Sequence, residues 1–82
     1  LVTKFIVKVQ PVDEIVALLE DEACVSDLSV VDGVIFVSAV DVALFRQRLP
    51  LLVSQVKGFL DEVKMVKSDL ESVFKSAVEE AE

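Results

Sequence analysis

Cys24 is the only cysteine in this 82-residue chain, which contains no histidine, tyrosine or tryptophan. Proton transfer near neutral pH therefore falls to a shifted carboxylate, a lysine or this thiol. A reactive thiolate needs a base or a lowered pKa, and the neighbours Glu22, Ala23, Val25 and Asp27 are acidic or apolar, which works against ionisation. Cys24 therefore reads as a small buried residue. Asp13 with Glu14, and Glu20-Asp21-Glu22, are the carboxylate groupings from which a metal site or an acid–base pair would be built. Such runs are also what the solvated face of a helix looks like, and that is the reading adopted. Zinc would find neither histidine nor a second cysteine, and with Gly33 and Gly58 as the only glycines there is no glycine-rich phosphate cradle. No catalytic residue, cofactor or metal is expected, and the chain is read as a non-enzyme.

Arg46 and Arg48 flank Gln47. Their guanidinium forks suit bidentate pairing, either with a partner's carboxylates or with the acidic stretch of this same chain. Phe36, Phe45, Phe59 and Phe74 would serve a nucleic acid as stacking platforms, but the net charge of −7 opposes phosphate binding. They read instead as core or interface anchors, and any nucleic acid would be met through a partner.

The elements that position these residues follow from periodicity. Thr3 to Val9 alternates, with Phe5, Val7 and Val9 on one face and Lys4, Ile6 and Lys8 on the other, as in a half-solvated strand. Pro11 suits a first helical position, Asp13 and Glu14 suit the positive end of a helix dipole, and Val12, Ile15, Val16, Leu19 and Ala23 recur at helical spacing over residues 11–23. Leu28 to Val31 and Val34 to Ala39 flank Asp32-Gly33, a pair suited to the positive φ angles of a type I′ hairpin turn. Val34 and Phe36 on one side of the second strand, and Ile35, Val37 and Ala39 on the other, ask for burial on both faces of the sheet.

Asp41 then reads as the N-cap of a long helix. Phe45, Leu49, Leu52, Val56, Phe59, Val63, Val66, Leu70, Val73 and Ala77 alternate in steps of four and three, the spacing of a heptad seam. Run unbroken to Ala81, that helix would be roughly 60 Å long and would have to meet a neighbour. Pro50 predicts a kink, and Ser68 with Glu71 could form a capping box that starts a new helix. A rival reading makes residues 63–67 a fourth strand, giving a ferredoxin-like βαββαβ order. The fold expected is α+β: a three-stranded antiparallel sheet in strand, helix, hairpin, long-helix order, helices on one face, dimerising through sheet and helix. Residues 1–82 form a single domain, with 67–82 as a helical extension.

A domain of this size buries only about 60–65% of the surface its unfolded chain exposes. A hydrophobic fraction of 54% and a mean hydropathy of +0.62 therefore favour an oligomer. Charged residues punctuate every segment, so no membrane span is expected. Nothing resembles a signal peptide, a reducing compartment suits the lone cysteine, and the cytoplasm is assigned by default.

The hairpin of residues 30–37, followed by Ala39-Val40-Asp41-Val42, Phe45-Arg46 and Leu49, resembles the small dimerising subunit family of the KEOPS complex, the polarised-growth chromatin-associated controller family. Members carry an acidic residue at the helix start, then phenylalanine or leucine followed by arginine and, three residues later, leucine. Asp41, Phe45, Arg46 and Leu49 match that run, and the likeness covers roughly residues 3 to 66. Where the family has an asparagine–serine pair, Pro50 and Leu51 stand here, the mark of a divergent paralogue. The resemblance implies a non-catalytic subunit of the complex that makes threonylcarbamoyladenosine in tRNA. It would form a heterodimer with an ordinary member, or a homodimer, with tRNA contacted only indirectly. The interface expected comprises Phe36, Phe45, Arg46, Leu49, Leu52, Val56, Phe59 and Val63. The alternatives are a small ferredoxin-like regulatory or ligand-binding domain, and a self-associating helical module.

Overall fold

A computed structural model describes residues 2–66; the expected extension over 67–82, with its possible capping box and the last three seam positions, lies outside the described residues. The elements are β1 (Thr3–Gln10), α1 (Val12–Glu20), β2 (Val25–Val31), β3 (Val34–Ala39), α2 (Val42–Gln55) and β4 (Phe59–Val66). The four strands form one antiparallel sheet in the order β2-β3-β1-β4. This is the split βαβ arrangement, with each helix linking two strands that a third separates.

β1 behaves as its alternation requires. Phe5, Val7 and Val9 are buried, and Lys4 and Lys8 are exposed on the other side. Pro11 occupies the N-cap of α1, one residue before the first helical position, and the helix stops at Glu20, so Ala23 lies beyond it, exposed. The β2–β3 hairpin closes as its sequence demands: Asp32 and Gly33 have φ of 53° and 77°, and Val31 pairs with Val34 across them. Asp41 caps α2 by accepting a hydrogen bond from the Leu44 N–H at 3.1 Å.

The long helix is where structure and expectation part. α2 passes through Pro50 but ends at Gln55. Lys57 turns into the left-handed region with φ 53°, its N–H bonds the Ser54 carbonyl at 3.0 Å, and the Gly58 N–H bonds the Val53 carbonyl at 2.8 Å. These two bonds make a Schellman stop. Gly58 is required there because a Cβ would fall on the backbone carbonyl oxygen of Gln10. The chain turns back and lays β4 along β1, so the sheet has four strands, not three.

Among the described residues the heptad seam is therefore not one helical stripe. Phe45, Leu49 and Leu52 are buried on α2, Val56 is its C-cap, and Phe59, Val63 and Val66 belong to a strand. A bulge at Asp61, between the pairs Lys8–Glu62 and Val9–Leu60, changes the side to which later residues point. Val63 pairs with buried Val7, on the helix side, and Val66 pairs with Lys4, on the opposite face. A spacing that would form one stripe on a helix is split across a sheet.

The core lies between the sheet and the two helices. Phe5, Val7, Ile35 and Val37 meet Ile15 and Leu19 of α1 and Phe45, Leu49, Leu52 and Val53 of α2. The rings of Phe5 and Phe45 sit 4.7 Å apart, tilted by 35°. Both helices pack on this one side of the sheet.

Candidate association surface

The residues suited to chemistry are occupied structurally. Cys24 is buried in the core, and burial pushes its thiol pKa up, with the Glu22 carboxylate adding to the effect. Arg48 of α2 reaches Glu22, in the turn after α1, through a fork of two hydrogen bonds, Nε to Oε1 and Nη2 to Oε2, each 2.9 Å. That contact holds the Glu22 carboxyl below its ordinary range, against an opposing contribution from burial, and raises the Arg48 guanidinium. Of the two roles open to the arginines, Arg48 takes the internal one; Arg46 is exposed. Among the described residues no three histidine, cysteine, aspartate or glutamate side chains gather as a metal would need. No helix among them is long and apolar enough to cross a membrane.

The face of the sheet that the described residues leave uncovered is the more informative surface. Strand register places Ile6 of β1 beside Phe36 of β3, and Phe36 beside Ser29 of β2. Val31, Val66, Lys4, Asp27 and Ser38 complete an open depression of about 390 Å³ around these side chains. Phe36 is 40% exposed and Val31 55%. An aromatic ring left this far in water at the centre of a pleated surface is what an interface anchor looks like before its partner arrives.

The eight residues expected at an interface are not brought together. Phe36 stands at the centre of the open face. Phe45, Leu49 and Leu52 are 1–2% exposed and belong to the chain's own core, so none of them offers surface to a partner in this fold. Val56 packs against that core from the end of α2. Phe59 is 64% exposed, next to Gln10, Pro11, Lys57 and Gly58. Val63 sits with Met65 on the helix side of β4, where both remain partly exposed. Sequence reasoning missed Ile6, Val31 and Val66 as companions of Phe36. The available signal was an isoleucine between two lysines in β1, an apolar residue on a face assigned to water.

Fold and surface together define an α+β domain of split βαβ topology with one face packed and one face left open by the described residues. No family model, no curated protein and no solved structure matches the chain.

Proposed function

We propose that this chain is a non-catalytic association subunit whose open sheet face, centred on Phe36, docks another protein. The observation that carries the reading is the exposed apolar depression formed by Phe36, Ile6, Val31 and Val66 on a sheet whose other face is already filled. The run Asp41, Phe45, Arg46 and Leu49 directs it to the KEOPS complex that makes threonylcarbamoyladenosine in tRNA, in a reducing, cytoplasmic setting. There the chain contributes shape and apolar area, pairs with an ordinary member of the resembled family, and meets tRNA only through its partners. A stable interface of this kind buries above about 1,000 Å². Light scattering on the chain mixed with an ordinary family member tests this. A one-to-one heterodimer is the expected mass, and two unmixed species would sink the assignment.

A second reading is favoured by β4, which replaces the three-stranded arrangement with a ferredoxin-like one. In it the same depression, within the roughly 300–1,000 Å³ range of ligand pockets, binds a small apolar molecule and the domain is regulatory. Saturable chemical-shift changes at Ile6 and Phe36 with a small ligand, and no heterodimer, would favour it.

A further inference from the structure

The outer strands of the sheet, β2 and β4, present very different edges. β4 carries the bulge at Asp61 and the charged residues Asp61, Glu62 and Lys64, features that discourage another chain from pairing along an edge. β2 pairs with β3 in regular register from Asp27 to Val31, and that stretch holds no proline, no lysine and a single charge, Asp27. Val31 and Val34 close a two-residue hairpin and so form a hydrogen-bonded pair; antiparallel alternation then turns the N–H and C=O of Leu28 and Val30 outward. Among the described residues no backbone group takes them up. This edge also has a sign. Between Lys8 and Arg46 every charged side chain is a carboxylate. At the edge itself, Glu20 on the helix side and Asp27 on the open side, both exposed, border a depression of about 240 Å³ with Val25, Ser26 and Leu28.

We infer that the edge of β2 takes an extended basic segment of a partner protein as a fifth strand, antiparallel to β2. Its main chain bonds Leu28 and Val30, and its lysines or arginines meet Glu20 and Asp27. Main-chain pairing supplies affinity in such strand addition, and the side chains alternating to either side supply selectivity. A second copy of this chain is the poorer occupant, because its β2 edge would set carboxylates against carboxylates, and like charges across a strand pair are destabilising. The added strand widens the sheet beyond β2 and leaves the Phe36 depression open, so this inference does not rest on docking there.

Amide spectra of the isotope-labelled full-length chain, titrated with the peptide acetyl-Val-Lys-Lys-Val-Lys-Lys-Val-amide, test the inference. Saturable shifts of the Leu28 and Val30 amides are expected, with slower hydrogen exchange of both in the complex, and the glutamate counterpart of the peptide should leave them in place. Reversing the charges with Glu20→Lys and Asp27→Lys together should weaken the lysine peptide by about tenfold or more and let the glutamate peptide bind. Val30→Pro removes one outward N–H at an edge position, where proline is tolerated, and should weaken the lysine peptide while the Phe5 and Phe45 signals stay in place; if it unfolds the chain, the charge-reversed variant still decides. Four results would overturn the inference. Shifts confined to Asp13 and Glu14 would reveal charge attraction alone, and shifts confined to Ile6 and Phe36 would move the peptide to the open face. Protected Leu28 and Val30 amides in the free chain at twice the monomer mass would make the occupant a second copy. An equal response to both peptides, or none to either, would leave the edge without a basic ligand. The heterodimer mass is read without the peptide and the edge shifts without the partner, so the two readings fall separately.

Discussion

The two faces of the sheet are made of similar residues and do different things. On the helix side, Val7, Ile35 and Val37 are sealed beneath α1 and α2. On the open side, Phe36 and Val31, one residue along the same strands from buried or half-buried neighbours, are left exposed by the described residues. Alternation alone would have made the second face polar, as Lys4, Lys8, Ser29 and Ser38 begin to do. The apolar residues set among them are the ones the proposed docking of a partner would cover.

Truncation on the packed side breaks the comparison most severely. Phe45→Ala removes the ring against Phe5 and should cost about 3–5 kcal/mol, a large share of the 5–15 kcal/mol typical of a domain, read as a loss in urea midpoint. Next comes Gly58→Ala, whose methyl must displace the Gln10 carbonyl; about 1–3 kcal/mol is expected, from the same measurement. Phe36→Thr replaces one residue of high strand preference by another, so stability should change by about 1 kcal/mol or less. Its effect should appear instead as at least tenfold weaker association, of the order found on truncating an interface anchor.

Acidification supplies the smallest effect. The Glu22 carboxyl is held low in the folded chain by Arg48, so its contribution is complete above the ordinary carboxylate range and is lost as pH falls through the folded value. Glu22→Gln should be slightly less stable than the parent at neutral pH, and thermal unfolding of the two should converge as the parent's carboxyl is protonated.

Much of the fold was legible where a local rule and the tertiary structure agree. The alternation of β1, the Asp32-Gly33 turn and the Asp41 cap each express a short-range preference that packing does not override. β4 was hidden for two physical reasons. Val66 spoiled its alternation because the rule supposes water on one face, and Val66 faces the apolar depression. Phe59, Val63 and Val66 also keep a four-and-three spacing in sequence, although the register sets Val63 on the helix side and the other two on the opposite face. The helix stop was hard to read because the left-handed position holds Lys57, with glycine one place later than a Schellman motif usually puts it. Of the site, Phe36 was legible from the two apolar faces of its strand. Ile6 and Val66 became companions only once register set them side by side.

The measurement that bears most directly on the division of labour between the two faces is made on Phe36→Thr, with thermal unfolding and solution mass in the presence of an ordinary family member recorded on one sample. A midpoint close to that of the parent together with loss of the heterodimer is the predicted result. A variant that still forms the heterodimer, or one that loses its fold, would contradict the assignment of the open face to association.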